Sequence, residues 1–577
     1  MALFTKGFVV RKNLSEDALV PPAPAQSEPH VLTEPVEHDR GLPKSETAVL
    51  SVCDDVGACA SESAWTKRAF WLFLFAHVLV WTFIPAAVSD SLGLDQAETA
   101  FWGHEWSLGT TKHPPLPAWV SEMATHVFGC TVWGQFLIAQ IAVAAAFWAV
   151  WKLASEMLPP QAALFAVCLL ECCPFTTFKS LHLNNNVGLL PCWAFCILFL
   201  YRAIQTQRLR YWLLVGIWLG LGMLTKYTTG MLALVLLVFG FLNADTRKCW
   251  RSPGPYFAVA LAGLIFFPHF HWVASHDFCT VRYIGKRVPE EFSWISHLWF
   301  PLEFLFSQTA MISTLLISAV SLVDWPVRMR FSNLPNRLRR GFLAAMFLSP
   351  IVLHLILSFL FGLHIEPHYG SPLWMLLGIF ILMFFQFKTD EMNWKRAWWT
   401  WTLVVSLTVV GWTSSRLVQP YVDRTPRVLF PSHELAECVN QIWTDRFHRP
   451  LPIIAGDYFV AGNIAFANPN RPRVYQSVGG DINEMAEGDC PWITLEDFRR
   501  VGGIVVWDRK DNPTGMSQQA RERLGVTETI DLPTFPYRTR LVVSLACIGI
   551  AIIPPSDIQN HDGSLNTGPS GRIRSTR

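Results

Sequence analysis

Residues 69–88 read AFWLFLFAHVLVWTFIPAAV, twenty positions with no acid, lysine or arginine. A bilayer's hydrocarbon core takes about 20 such residues as a helix, so the run reads as a membrane span. Lys67 and Arg68 stand just before it. Further apolar runs follow at 132–152, 161–178, 187–204, 211–225, 229–243, 256–275, 298–323, 341–361, 371–388 and 397–415. The runs either side of Thr225-Lys226-Tyr227 are short, and read as one broken span or two tilted ones.

Loop charges orient these runs, because Lys and Arg concentrate on the cytoplasmic side. Basic clusters follow the fourth run (Arg202, Arg208, Arg210), the sixth (Arg247, Lys248, Arg251), the eighth (Arg328, Arg330, Arg337, Arg339, Arg340) and the tenth (Lys388, Lys395, Arg396). With Lys67 and Arg68 they all fall on one side if the N-terminus is cytosolic and there are eleven spans; thirteen preserve the agreement. The expected fold is membrane all-α, a polytopic helical bundle of about 11–13 spans over residues 65–415. Residues 416–555 then lie outside, which for a bacterial inner membrane is the periplasm.

Composition agrees. Of 577 residues 51% are hydrophobic and 16% charged, against roughly 25% charged in soluble domains. The 26 Trp and 41 Phe suit helix ends at lipid interfaces. A net charge of +2 gives no support to nucleic acid as a partner. Residues 1–64, rich in Pro, Ser, Glu and Ala, read as a disordered tail with no signal peptide. The outer region reads as a small α/β domain, with a helix over Ser432–Phe447 and strands at 451–455, 474–477, 503–507 and 541–553. Residues 556–577 read as a second disordered tail. The 13 cysteines are scattered, many of them within apolar runs, with no zinc-type pairs. Cys438 and Cys490 read either as a periplasmic disulfide or as two thiols.

Chemistry concentrates in the outer loops. The first holds Leu94-Asp-Gln-Ala-Glu98 and then Lys112-His-Pro-Pro-Leu-Pro-Ala-Trp119. Asp95 and Glu98, three apart, share a face if the stretch is helical. Such a pair can take a proton or orient a hydroxyl; an interfacial amphipathic helix with solvated charges reads equally well. Lys179, His182 and the run Asn184–Asn186 form a second polar loop that can meet an anion or simply cap the next span. Lys226 sits between apolar runs, as a functional ion or as a snorkelling lysine. Arg282, Lys286 and Arg287 run against the positive-inside trend and suit a phosphate, while Glu290 and Glu291 beside them suit a solvated ion cluster. Glu366-Pro-His-Tyr-Gly-Ser-Pro372 places His368 and Tyr369 near the outer surface. No phosphate loop or dinucleotide fingerprint appears, which argues against a nucleotide-driven machine. Gly220 and Gly222 read as helix-packing positions.

Taken in order, the first-loop motif, His182-Leu-Asn-Asn-Asn-Val-Gly-Leu-Leu-Pro, Gly220-Leu-Gly-Met-Leu-Thr-Lys-Tyr and His368-Tyr-Gly-Ser-Pro resemble bacterial membrane glycosyltransferases of the protein-mannosyltransferase-like superfamily. These have the GT-C fold and include aminoarabinose transferases and rhizobial galacturonosyltransferases of lipopolysaccharide. The resemblance implies transfer of a hexosyl or pentosyl group from a polyprenyl-phosphate-linked donor to a hydroxyl of an outer-leaflet acceptor such as lipid A, lipopolysaccharide or another glycolipid. It implies no nucleotide and no other cofactor.

Asp95 matches the family's loop acid and is the candidate general base. Glu98 positions the acceptor or shares the proton. Lys112, His113, Lys226 and Arg282 are candidates to neutralise the leaving phosphate, a task that preorganised cations perform without a metal. Lys179, His182, Asn185, His368 and Tyr369 are further candidates for substrate binding. Two departures stand out: Gln96 replaces a second acid found in many relatives, and Asn184–Asn186 occupy a place where several carry Asp. Two other classes fit parts of the pattern, a transporter or flippase built around Lys226 and a membrane-anchored binding protein.

The orientation is testable. A reporter active only in the periplasm, fused after Asn468, is expected to be active; activity of a cytosol-only reporter at that point reverses the assigned sides.

Overall fold

A computed structural model describes residues 64–285, 293–322, 337–385, 387, 390–419, 427–476, 483, 490–537 and 545–559. The N-terminal tail, the cluster Lys286, Arg287, Glu290 and Glu291, and Arg328 and Arg330 lie outside the described residues. So does the final tail beyond residue 559.

Every apolar run is at least partly helical. The chain opens with α1 (Ala64–Ala87), then two short helices, α2 (Leu94–His104) and α3 (Leu116–Phe128), before α4 (Val132–Ser155). There follow α5 (Pro160–Cys168), α6 (Asn185–Thr206), α7 (Leu209–Thr225), α8 (Thr229–Leu242), α9 (Ala244–Arg247), α10 (Gly254–Ser275), α11 (Cys279–Gly285), α12 (Trp294–Val320), α13 (Arg337–Phe361), α14 (Leu377–Phe384) and α15 (Glu391–Val418). Six of these, α1, α4, α6, α10, α12 and α13, are long and apolar enough to cross a membrane. A seventh crossing forms if α8 is joined to 244–251 across its 90° bend. The other expected spans are helices too short or too polar to meet that measure. α7 has 17 residues, 371–388 is a turn followed by the eight residues of α14, and α15 is rich in Trp and Thr.

Small residues let the helices approach. A methyl group at Gly220 would sit 2.8 Å from Cβ of Ile265 and 3.2 Å from Cα of Ala262, so α10 packs closely on α7 there. Deeper in the bundle, Glu171 accepts from Trp81 Nε1 at 2.7 Å and lies 2.6 Å from His77 Nδ1, tying α1 to the segment after α5. A buried carboxylate persists in apolar surroundings only with such partners.

Beyond the bundle, α16 (Ser432–Phe447), β1 (Ile453–Gly456), α17 (Tyr458–Ala467), β2 (Arg473–Gln476), α18 (Leu495–Val501), β3 (Gly503–Asp508), α19 (Gln518–Leu524), β4 (Glu528–Asp531), the two-residue strands β5 (Phe535–Pro536) and β6 (Leu545–Ala546), β7 (Ile548–Ile553) and α20 (Ser556–Gln559) form the C-terminal region, termed outer after its expected side. The main sheet runs β2-β1-β3-β7-β4. β1 is parallel to β2 and β3, whereas β7 is antiparallel to β3 and β4. Central strands buried on both faces read as unbroken apolar runs, which is why β1, β3 and β7 are visible in sequence. β4 is not, because Glu528-Thr-Ile-Asp531 is a largely exposed edge. Cys438 and Cys490 are free thiols packed in different clusters, on opposite faces of the sheet.

The outer region does not close its own core. Phe101, Trp102 and Ala118, from α2 and α3, belong to the same apolar cluster as Ile454, Ile504 and Trp443. Asn463 of α17 accepts from Leu92 N–H at 2.8 Å and returns a bond to Leu92 O at 3.2 Å. Trp102 Nε1 donates to Gln476 Oε1 at 2.8 Å. Arg471 meets buried Glu122 with two bonds of 2.7 and 2.8 Å, a fork-to-fork geometry that fixes orientation as well as charge.

Burial alone would raise the Glu122 carboxyl, but hydrogen bonds from His104 and Arg471 hold it down at about 2. Its folded value is therefore below the ordinary 4.5, so the pair stabilises above that pH and loses its contribution as pH falls toward about 2. Arg471→Ala strands a buried carboxylate and is expected to cost roughly 3 kcal/mol at neutral pH. Melting of the purified full-length protein should show the gap between wild type and variant closing between pH 4.5 and 2; a gap independent of pH rejects the ion pair as its source.

Candidate active site

Gly93, in extended conformation, starts α2, and Leu94-Asp-Gln-Ala-Glu98 forms its first turn. A methyl group on Gly93 would lie 2.9 Å from His182 Nε2, so the loop holding His182 sits directly on the helix start. The helix places Asp95 and Glu98 on one face, as their spacing predicts. Asp95 is exposed in the first turn, where unsatisfied N–H groups favour a negative charge. Glu98 is buried.

The three asparagines have separate tasks. Asn184 Oδ1 caps α6 by accepting from the N–H groups of Asn186 and Val187, while its Nδ2 donates to Asp95 Oδ2 at 3.2 Å. Asn185 Nδ2 donates to Thr225 O at 2.6 Å, at the end of α7. Asn186 Oδ1 accepts from Lys226 Nζ at 2.7 Å. The capping reading is thus met by Asn184, while Asn185 and Asn186 hold the end of α7 and Lys226.

Lys226 is extended, between α7 and α8, and buried. Its ammonium lies 3.5 Å from the centre of the Tyr369 ring, so it points into protein rather than snorkelling. Lys112 approaches from the first loop. There Thr110 Oγ1 accepts from the N–H groups of Lys112 and His113 at 3.2 and 2.9 Å, and the prolines lead into α3. Lys112 Nζ donates to Glu98 at 2.5 Å and lies 4.4 Å from the Tyr458 ring centre. Burial pushes the Glu98 carboxyl up, and Lys112 only partly offsets it. Burial opposes the charge on Lys112, yet Glu98 more than compensates and raises it. Lys112 therefore stays cationic, and Glu98 is the partner more readily neutralised by acid.

These groups line one cavity of about 220 Å³. Asp95, Glu98, Lys112, His113, Asn185, Lys226, His368 and Tyr369 all border it. Glu366, which opens the late motif, borders it too, as do Thr99, Trp102, Tyr283 and Tyr458, which nothing in the sequence alone singles out. Three expected residues stand elsewhere. Lys179 and Arg282 are exposed and do not border the cavity, although Tyr283 beside Arg282 does. His182 bonds Gln96 Oε1 at 2.7 Å behind the helix. A pocket with an exposed carboxylate, a buried acid and two ammonium groups can accept a proton at one end and hold an anion at the other.

Residues 112–272 match the family described as dolichyl-phosphate-mannose-protein mannosyltransferase. The chain is 28% identical to the lipid A galacturonosyltransferase RgtD of Rhizobium johnstonii over 198 residues, 33% of this chain and only 40% of that one. It is 23% identical to the lipopolysaccharide core galacturonosyltransferase RgtB of the same organism over 497 residues, 81% of this chain and 94% of that one. The structure of ArnT from Cupriavidus metallidurans bound to undecaprenyl phosphate superposes with a TM-score of 0.56 at 15% identity, covering 85% of this chain and 99% of that one.

His182 supplies a test of how α2 is held. Burial, then the charge of Arg416, lowers its ring to about 4, so it acts as a neutral group. An unfolded histidine titrates near 6.5, so the folded state loses stability as pH falls from about 6.5 to about 4. His182→Gln keeps a polar partner for Gln96 and should remove that share of the acid sensitivity. An unchanged melting profile over this range assigns the proton uptake to another group.

Proposed function

We propose that this chain, a member of the GT-C glycosyltransferase superfamily, moves a sugar from a polyprenyl phosphate carrier to a hydroxyl of a lipopolysaccharide or related glycolipid on the outer leaflet. The observation that carries the reading is the single cavity in which Asp95, Glu98, Lys112 and Lys226 meet. The galacturonosyl activities named for the rhizobial relatives favour a uronic acid as the sugar. The undecaprenyl phosphate bound by the ArnT neighbour supports the carrier. A midplane site open to either side would suit transport; a cavity bordered by Tyr458 of the outer region suits transfer at the outer face.

In this reading the acceptor oxygen attacks the anomeric carbon, its proton passes to Asp95, and the bond to the lipid phosphate breaks. Asp95 suits the base because it is exposed and oriented by Asn184. Lys112 and Lys226 meet the charge that grows on the departing phosphate, where preorganised cations are most effective. Glu98 holds Lys112 until the anion arrives. His113, placed between the rings of Trp102 and Tyr283, shapes the donor end. Arg282, exposed next to Tyr283, is assigned to the carrier's approach. The N-terminus is cytosolic and the outer region periplasmic.

A positioned base contributes on the order of a hundred- to ten-thousand-fold. Asp95→Asn keeps the shape and removes the base, so transfer should fall by about that factor while the protein accumulates normally. Glu98→Gln should cost less if Glu98 only seats Lys112, and as much if it shares the proton. The measurement is the transfer rate in membranes of a deletion strain carrying each variant at matched protein level, with the sugar content of its glycolipids read by mass spectrometry. Near-normal transfer by Asp95→Asn sinks the catalytic assignment, and unaltered glycolipids in the deletion strain sink the reaction.

A further inference from the structure

The outer sheet turns a particular place toward the cavity. β1 lies between β2 and β3 and is parallel to both. The chain leaves β1 for β2 on one side and returns as β3 on the other. In open parallel sheets this reversal leaves a crevice at the strands' carboxyl ends, where ligands tend to bind. Here that end is Gly456-Asp457-Tyr458. Gly456 has φ +125°, and a side chain on it would collide with the Val506 carbonyl. Asp457 then accepts from the N–H groups of Phe459 and Val460 at 3.0 and 2.9 Å, capping α17. The strand, the glycine and the cap together fix Tyr458, whose ring lies 4.4 Å from Lys112 Nζ.

We propose that Tyr458 is a positioning residue that seats the Lys112 ammonium between its ring face and the Glu98 carboxylate, so that the outer region forms a wall of the transfer site. The proposal rests on the functional reading above, which gives Lys112 the carrier phosphate. A ring face attracts a cation by its quadrupole, more strongly where water is scarce. Glu98 alone would draw Lys112 against α2. With Tyr458 opposite, the ammonium has a second contact that is not a full negative charge, so it can turn to an incoming anion without abandoning a counter-ion. Phenylalanine offers the same face and leucine does not, which separates this role from hydrogen bonding by the hydroxyl and from packing.

The test is a double-mutant cycle on the full-length protein with undecaprenyl phosphate as the probe. Tyr458→Phe should bind the probe within about twofold of wild type, and Tyr458→Leu about five- to thirtyfold more weakly. Lys112→Gln combined with Tyr458→Leu should be no weaker than Lys112→Gln alone, because coupled residues are not additive. The same four proteins melted without the probe should show the same non-additivity. Additive effects in that ligand-free cycle overturn the contact and the proposal. Coupled melting with probe binding unchanged in Tyr458→Leu overturns the positioning role. A wild type that binds no undecaprenyl phosphate overturns the carrier assignment, and the role with it, while the ligand-free cycle still reports whether the two side chains touch.

Discussion

Both arms of Arg471 close on a glutamate with almost no contact with solvent, and the rest of the site depends on that pair. Glu122 belongs to α3 and Arg471 to the turn before β2, so the bond joins the first outer loop to the outer region of the chain. Around it lie weaker ties of the same direction: Trp102 to Gln476, Asn463 to Leu92, and Gly462 against Phe101 and Ala97. Buried charges are costly unless paired, and a planar fork on a carboxylate allows few alternative geometries. The result is that α2, with eight of its eleven residues buried, cannot shift without breaking several contacts at once. Asp95 extends from this fixed helix into the cavity.

The membrane side works by the same economy of polar groups. Where α7 ends at Thr225, the chain is extended for a residue before α8 begins, and Asn185 covers the Thr225 carbonyl. That break brings Lys226 out of a helix and aims it at Asn186 and Tyr369. A discontinuous helix pair is tolerated within a helical bundle when protein satisfies the freed groups. Here the groups that satisfy the break also line the cavity, so structural and chemical roles fall on the same side chains.

Much of this is legible in the chain. Twenty-residue apolar runs announce helices because length and hydrophobicity are local properties, and all eleven runs contain one. The three-residue spacing of Asp95 and Glu98 carries the shared face, and motif order carries the convergence of Lys112, His113 and Lys226. Lys179 and Arg282 group with them in sequence only because sequence shows that a charge is in a loop and not where the loop points. His182 reads in sequence as an anion contact; its ring is instead the support under Gly93, which only the packing of two loops could show. Tyr458 is invisible for a simple reason: a tyrosine after a strand has no signal of its own, and its partner lies far back in the chain.

The shared core of α2, α3 and the outer sheet has a consequence for biosynthesis. Phe101, Trp102 and Ala118 emerge on the ribosome about three hundred residues before Phe430 and Leu435, the first of their later partners, and longer still before Ile552, the last. At roughly 5–20 residues per second, they wait about 15–60 s without those partners. During that interval an aromatic surface beside the newly inserted helices is uncovered, within reach of chaperones and proteases. Maturation of the protein is thus governed by the last segment to be translated, and a ribosome that stops early leaves a membrane-embedded chain whose first loop has nothing to fold against.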